Sequence, residues 1–342
     1  GAGHEVLISP DTATCPDCLA DMADQDNRRY RYPFTNCTNC GPRYTITRRV
    51  PYDRETTSMA CFPLCPACAA EYNDPGDRRF HAQPNACPEC GPELWLADRQ
   101  GSVLARGDAA ISALAQALAR GGIAAVKGLG GFHLVCDATS EQAVTELRRR
   151  KHRPTKALAV MVPDLATAER LGQADAAARE LLAGNVRPIC LLPLRPDSGL
   201  AAAVAPDVGE IGIMLPYTPL HHVLLADFAA IVGPGRPPAL VMTSGNLGGD
   251  PICLGNREAL SRLGDIADVF MLHTRDILIR TDDSVVRPLT ATEAASAGAP
   301  SMFLRRARGY VPTPVALARS GPSVVGLGPM LKATVCLTKK DQ

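Results

Sequence analysis

The sequence predicts an α/β (α+β) chain: a domain built on a mixed, twisted sheet, preceded by a duplicated four-cysteine, zinc-finger-like module. Two observations carry this. Cys15, Cys18, Cys37 and Cys40 read C-x2-C-x18-C-x2-C, and Cys65, Cys68, Cys87 and Cys90 repeat that spacing fifty residues later. From about Gly101 the texture changes, and strand-length apolar runs alternate with helical periods before strands predominate.

The repeat extends beyond the cysteines. Asp24, Arg28, Arg29 and Tyr30 align with Asp74, Arg78, Arg79 and Phe80, and Gly41-Pro42 aligns with Gly91-Pro92. Four thiolates in two close pairs are the ligand set of a tetrahedral structural zinc. Disulfides are the alternative, but the chain has 13 cysteines, an odd number, and its C-x2-C pairs turn tightly. Two zinc ions are therefore expected, and the ligand pairing, sequential or crossed, is open. Cys61 falls outside the repeat as a spare thiol, and Cys136, Cys190, Cys253 and Cys336 are expected to be buried small side chains. The module has few apolar runs, so the metal is expected to supply much of its folding free energy.

In the second part, Ala109 to Arg120 is a helix stopped by Gly121-Gly122, and Ile123 to Val126 a strand. Thr139 to Arg150 is a helix opened by Thr139 with Gln142 as a capping box. Strands are expected at 157–162, 189–194, 211–215, 239–242, 269–272, 284–287 and 302–305, and helices at 164–171, 175–182 and 220–228. Segments 323–328 and 332–338 read as two further strands joined by a turn. The expected division is 1–100 for the two cysteine repeats, 101–318 for the α/β domain, and 319–342 for the opening of another unit.

Composition narrows the function classes. Hydrophobic content is 46% and net charge is +1, so no global field attracts nucleic acid or a membrane surface. No signal peptide or bilayer-length apolar run is visible, which fits a cytoplasmic protein. A zinc-dependent RNA- or protein-binding module is the competing class: Arg28, Arg29, Arg78 and Arg79, with Tyr30, Tyr32 and Phe80, offer either a basic aromatic face or packing between the repeats. The chain has 30 arginines and 6 lysines, and before residue 332 the lysines are only Lys127, Lys151 and Lys156. A compact ammonium differs physically from a planar fork, so these three are candidate site residues.

Three features of the α/β part suggest a nucleotide. Lys127-Gly128-Leu129-Gly130-Gly131 follows a strand, where backbone amides can approach an anion. Lys151-His152-Arg153-Pro154-Thr155-Lys156 follows a helix and offers a cationic clamp. Thr243-Ser244-Gly245-Asn246 ends a buried strand, where α/β sheets bind ligands. Asp282 and Asp283, beside the Ser284 hydroxyl, could either help hold Mg²⁺ or form an internal salt-bridge network, and Arg305, Arg306 and Arg308 add guanidiniums. No nucleophile–base pair is evident, which leaves positioning and charge neutralisation, as suits attack on the α-phosphate of ATP.

Together the stretches "ATCPDCLADM", "RRYRYPFTNCTNCGPRYTI", "PYDRETTSMA", "FPLCPACAAEY", "DRRFHAQPNACPECGP", "KGLGGFHLVCDA", "RKHRPTKALAVM", "VMTSGNL", "DDSVVR" and "LRRARGYVP" resemble the middle section of the HypF family of hydrogenase-maturation carbamoyltransferases. The second domain is similar to the YrdC family; "KHR" resembles its lysine-x-arginine motif and "SGN" its serine-x-asparagine motif. The resemblance implies that an acylphosphatase-like domain hydrolyses carbamoyl phosphate and that the YrdC-like domain joins the carbamate to AMP. A C-terminal domain then passes the carbamoyl group to the C-terminal cysteine of HypE, as precursor of a cyanide ligand of the nickel–iron centre. It implies that Lys127, Lys151 and Arg153 act in catalysis and, with Lys156, neutralise phosphates and carbamate. Ser244 and Asn246 would hold the nucleotide, with Asp283 and Ser284 beside it, and Arg305, Arg306 and Arg308 would close the site. The acylphosphatase-like domain and most of the C-terminal transferase domain are not expected within these residues. A threonylcarbamoyl-adenylate synthase shares the second domain, but the eight metal cysteines argue against it.

Overall fold

A computed structural model describes residues 8–328 and 335–338. Each cysteine repeat opens with one short helix, α1 (Pro16–Ala23) and α2 (Pro66–Asn73). Proline fills the first helical position of both, where no N–H bond is lost. Eight residues cannot sustain a helix alone, so these two depend on what closes around them.

The chain then enters one large sheet. Its first elements are β1 (Leu94–Asp98), β2 (Val103–Arg106), α3 (Gly107–Ala119), β3 (Ala124–Lys127), β4 (Phe132–Asp137), α4 (Glu141–Lys151) and β5 (Val160–Met161). α5 (Leu165–Leu171), α6 (Ala176–Ala183), β6 (Ile189–Pro193), β7 (Glu210–Met214), α7 (Pro219–Val232) and β8 (Leu240–Ser244) follow. The last are α8 (Asn256–Leu263), β9 (Val269–His273), β10 (Val285–Pro288), α9 (Ala291–Ala297) and β11 (Ser301–Arg305). Among the described residues the sheet has eleven strands in the order β11-β10-β6-β7-β5-β8-β4-β3-β9-β1-β2. It is mixed: β3 runs parallel to β9, β5 to β7 and β10 to β6, and the other pairs are antiparallel.

Alternate side chains of the strands feed two cores, one on each face. Ala125 and Leu134 face a core shared with Val144 and Leu147 of α4, Ala168 of α5 and Leu182 of α6. Ala124, Val126 and Val135 face the other, with Ile111 and Leu114 of α3 and Leu224 and Phe228 of α7. Met22, Tyr32, Phe34, Ile46 and Met59 of the cysteine repeats are buried in that same second core. The module is therefore held by its cysteines and also by the sheet domain. Arg31 clamps the two together, bonding Asp108 of α3 at 2.7 Å and both carboxylate oxygens of Asp227 of α7 at 2.9 and 2.8 Å.

Several sequence expectations shift. Leu94–Asp98, expected inside the cysteine module, pairs with β9 in the large sheet. The N-cap of α4 is Ser140, whose Oγ accepts from Ala143 N, because Asp137 already captures the N–H and hydroxyl of Thr139. Cys336 is exposed; Cys136, Cys190 and Cys253 are buried as expected. The segments near the C-terminus form a separate antiparallel pair, β12 (Val325–Leu327) and β13 (Val335–Leu337), and the expected turn between them lies outside the described residues.

Candidate functional site

Each cysteine repeat closes its own cluster. Cys15, Cys18, Cys37 and Cys40 form one and Cys65, Cys68, Cys87 and Cys90 the other. In the first cluster Cys37 Sγ lies 3.6 Å from Cys15 Sγ and 3.9 Å from Cys40 Sγ, which is 3.6 Å from Cys18 Sγ. In the second Cys87 Sγ lies 3.7 Å from Cys65 Sγ and 3.8 Å from Cys90 Sγ. Within each cluster all four sulfurs lie within 4.8 Å of one another. A disulfide needs about 2.05 Å. A tetrahedron with Zn–S bonds of about 2.3 Å has edges of about 3.8 Å, so both donor sets fit zinc. Among the described residues these are the metal-competent groups of three or more ligands. Cys61 stays outside, exposed, with its thiol on Ser58 O.

Two of the repeats' four arginines are buried, while Arg28 is exposed and Arg78 half-buried. Arg29 is buried and bonds Glu71 with both nitrogens, and Arg79 is buried against Asp21 and Asn36 O. Tyr32 is buried and donates to Pro92 O, and of the three aromatics only Tyr30 is exposed. Packing between the repeats is the reading that the geometry supports.

The second candidate site is a cleft in the sheet domain. A cavity of about 430 Å³ is lined by Gly130, His133, Tyr217, Ser244 and Asp283 among others. It is continuous, through Arg153, Lys156, Ser244, Asp282 and Arg305, with an outer chamber that Lys151, Asn246 and Arg280 also line. Strand pairing explains the meeting of distant residues. His133 of β4 stands directly opposite Ser244 of β8, so both project from one face. The glycine loop is tight because its neighbours press on it. A Cβ on Gly130 would lie 2.2 Å from Thr281 O, and one on Gly245 would lie 2.7 Å from Phe132 O.

Lys151 is buried at the end of α4 and donates to Ser244 O at 2.6 Å and to Asn246 O at 2.5 Å. It thereby ties the cationic segment to the loop after β8. Ser244 Oγ donates to Asn246 Oδ1 at 2.6 Å. Arg153 donates to Ala157 O, and Arg305 donates to Asp283 O at 3.2 Å. Arg153, Lys156 and Arg305 make one wall basic, and Ile189, Leu191, Met242 and Val285 supply apolar surface. A pocket that is mostly apolar with a few convergent charges is the usual form of a small-molecule site.

Five expected residues stand differently. Ser284 is fully buried, donating to Arg308 O and accepting from Ala307 N, so its hydroxyl is consumed by the fold. Arg308 is buried too, bonded to Asp283 Oδ1 at 2.6 Å and to the carbonyls of Val186 and Arg187, with its guanidinium 3.4 Å from the centre of the Tyr217 ring. Asp283 has its other oxygen 2.8 Å from His133 Nε2, so each of its carboxylate oxygens already has a protein partner. Burial pushes the Asp283 carboxyl up, but Arg308 and then His133 outweigh this and hold it well below the usual carboxylate range. Arg306 lines neither chamber and donates to Thr313 O at 2.8 Å.

Lys127 is the fifth. Val126 pairs with His133, so Lys127, one step on, projects from the opposite face. It is buried, lines neither chamber and donates to His273 O at 3.1 Å. Burial, only partly offset by Asp276, brings its ammonium down to about 8 from 10.5. The folded state thus sheds this proton at lower pH than the unfolded chain, so the group's contribution to stability rises with pH from about 8 to 10.5. Lys127→Met is expected to abolish that rise in denaturant unfolding curves and to leave nucleotide affinity within about threefold.

His133 and Tyr217 escaped sequence reasoning. His133 lies within "GGFHL", directly after the glycine loop, and that position was the available signal. Its Nδ1 is buried without a protein partner.

The chain resembles known proteins along its whole length. The profile of a family described as Telomere recombination (Sua5, YciO and YrdC) matches residues 116–298. A HypF finger profile matches residues 14–47 and 64–97. Carbamoyltransferase HypF2 of Cupriavidus necator is 53% identical over 356 residues, covering 100% of this chain and 42% of that protein. Carbamoyltransferase HypF of Rhodobacter capsulatus is 49% identical over 346 residues, covering 100% and 43%. The crystal structure of full-length HypF in the phosphate- and nucleotide-bound form superposes with a TM-score of 0.89 at 43% identity, covering 99% of this chain and 42% of that one. The chain thus spans well under half the length of these relatives. It belongs to the Sua5/YciO/YrdC family and is HypF-like, its sheet domain standing behind two tandem HypF fingers.

Proposed function

We propose that the cleft binds ATP and carbamate and forms carbamoyl-adenylate, as one step of a hydrogenase-maturation carbamoyltransferase. The observation that carries this is a cleft lined by the cations Arg153, Lys156 and Arg305 together with Ser244 and His133, in a chain about half identical to named carbamoyltransferases. In the reaction a carbamate oxygen bonds to the α-phosphorus as the bond to the bridging oxygen breaks, and pyrophosphate leaves. Arg153, Lys156 and Arg305 would neutralise charge on the phosphates, and Ser244 would position the nucleotide. Lys151 would hold Ser244 and Asn246 in place through their carbonyls. Magnesium would arrive with the nucleotide, with Asp282 the carboxylate lining both chambers. Carbamoyl phosphate would be the source of the carbamate, and HypE the protein acceptor of the carbamoyl group.

The test is to supply the chain with ATP, Mg²⁺ and ammonium carbamate and assay carbamoyl-adenylate and pyrophosphate. Arg305→Ala and Ser244→Ala are expected to weaken ATP binding, Arg305→Ala by about tenfold or more, since one hydrogen bond to a charged group contributes about 1.5–3 kcal/mol. Unchanged affinity of both variants by calorimetry would remove the nucleotide from this cleft.

A further inference from the structure

We infer that the two four-cysteine clusters take up metal as a coupled pair, because each repeat supplies the outer donors of the other's cluster. Arg28, in the loop that the first cluster closes, donates to Cys68 Sγ of the second cluster at 3.2 Å. Arg78, its equivalent fifty residues on, donates to Cys18 Sγ of the first cluster at 3.1 Å. The next arginines repeat the exchange. Arg29 bonds Glu71 and reaches Cys68 Sγ at 3.5 Å, and its Nε donates to Ala86 O at 2.9 Å. Arg79 bonds Asp21, and its Nε donates to Asn36 O at 3.2 Å. Cys68 and Cys18, Glu71 and Asp21, and Ala86 and Asn36 are all equivalent positions of the repeat. The contacts are thus related by a pseudo-two-fold exchange of arginine pairs.

The physical consequence follows from charge and loop closure. Four thiolates around a divalent ion leave a net charge of about −2 per cluster. Guanidinium N–H groups on the sulfurs offset that charge, and outer donors of this kind are worth about 10- to 100-fold in metal affinity. Each arginine pair lies between the two ligand pairs of its own repeat, Arg28 and Arg29 between Cys18 and Cys37, Arg78 and Arg79 between Cys68 and Cys87. Metal bound in one repeat fixes the loop that carries these donors. It therefore prepares the cluster of the other repeat, and by linkage the effect is reciprocal.

The test uses the full chain, reduced and metal-free, titrated with Zn²⁺ and read by native mass spectrometry. Coupled sites leave mostly metal-free and two-zinc molecules at half saturation. A statistical distribution, with about half the molecules holding one zinc, or a dominant one-zinc species, would overturn the inference. Arg78→Met assigns the exchange at limiting zinc, with cysteine alkylation mapped by peptide. Expected is faster alkylation of Cys15, Cys18, Cys37 and Cys40, in the repeat that was not altered. Alkylation rising only at Cys65, Cys68, Cys87 and Cys90 would show that Arg78 serves its own repeat and would sink the exchange. Arg78→Lys, which keeps the charge and a donor, is expected to restore part of the protection.

Discussion

Stripping the metal from the full chain with a strong chelator is expected to unfold the cysteine module and, in the same transition, to loosen one face of the sheet domain. A structural tetrathiolate zinc contributes about 10–16 kcal/mol in finger peptides, and whole domains rest on only about 5–15 kcal/mol. Without metal, α1 and α2 are eight-residue helices with few buried apolar residues of their own. The damage should travel, because Met22, Tyr32, Phe34, Ile46 and Met59 pack into the core of α3 and α7. Hydrogen exchange separates the faces. Protection in α3 and α7 should fall with that of the module, and protection in α5 and α6, which pack on the other face, should fall less. Full protection in α3 and α7 after metal loss would show that the shared core is not what couples the two parts.

The cysteine clusters were legible because spacing alone brings their ligands together. Elements with local periodicity were legible for the same reason: α3, α5, α6 and α7 were expected within a few residues of where they lie. The strand β4 was not, since all six of its residues are buried and no polar alternation marks it. His133 was missed for a related reason, because its partnership with Ser244 exists only through the β4–β8 register. Ser284 and Arg308 show the opposite failure. Sequence reveals a hydroxyl and a guanidinium near a carboxylate, but not that Ser284 and Arg308 are already satisfied by backbone groups. The arginine exchange was hidden too, since aligned repeats show equivalent positions without showing which copy each side chain serves.

Arg308→Met is expected to be the most damaging single substitution in the sheet domain. Asp283 sits at 10% exposure between Arg308 and His133, and Arg308 itself is 2% exposed. Removing one member of a buried ion pair costs about 3–5 kcal/mol, because the remaining charge is left without its partner. Here the carbonyls of Val186 and Arg187 lose their donors as well. The loss should depend on pH in a defined sense. In the native protein the carboxyl of Asp283 is held below its unfolded value of 3.8, so its stabilisation is present above that pH and is lost as pH falls. In Arg308→Met burial is no longer outweighed by the arginine and the carboxyl moves up, so acid neutralises the stranded charge. The stability gap between the two proteins should therefore be widest near neutrality and narrow below about pH 4 in urea unfolding experiments. Asp283→Asn combined with Arg308→Met should recover part of the deficit, because no charge is then stranded. A gap of the same size at every pH, with no recovery in the double variant, would mean that lost packing on Tyr217 dominates. The substitution should also reach the cleft. Arg305 donates to the Asp283 carbonyl, so a displaced Asp283 releases a guanidinium of the basic wall. ATP affinity is expected to fall several-fold although Arg308 lines neither chamber, and the double variant is expected to regain stability ahead of affinity.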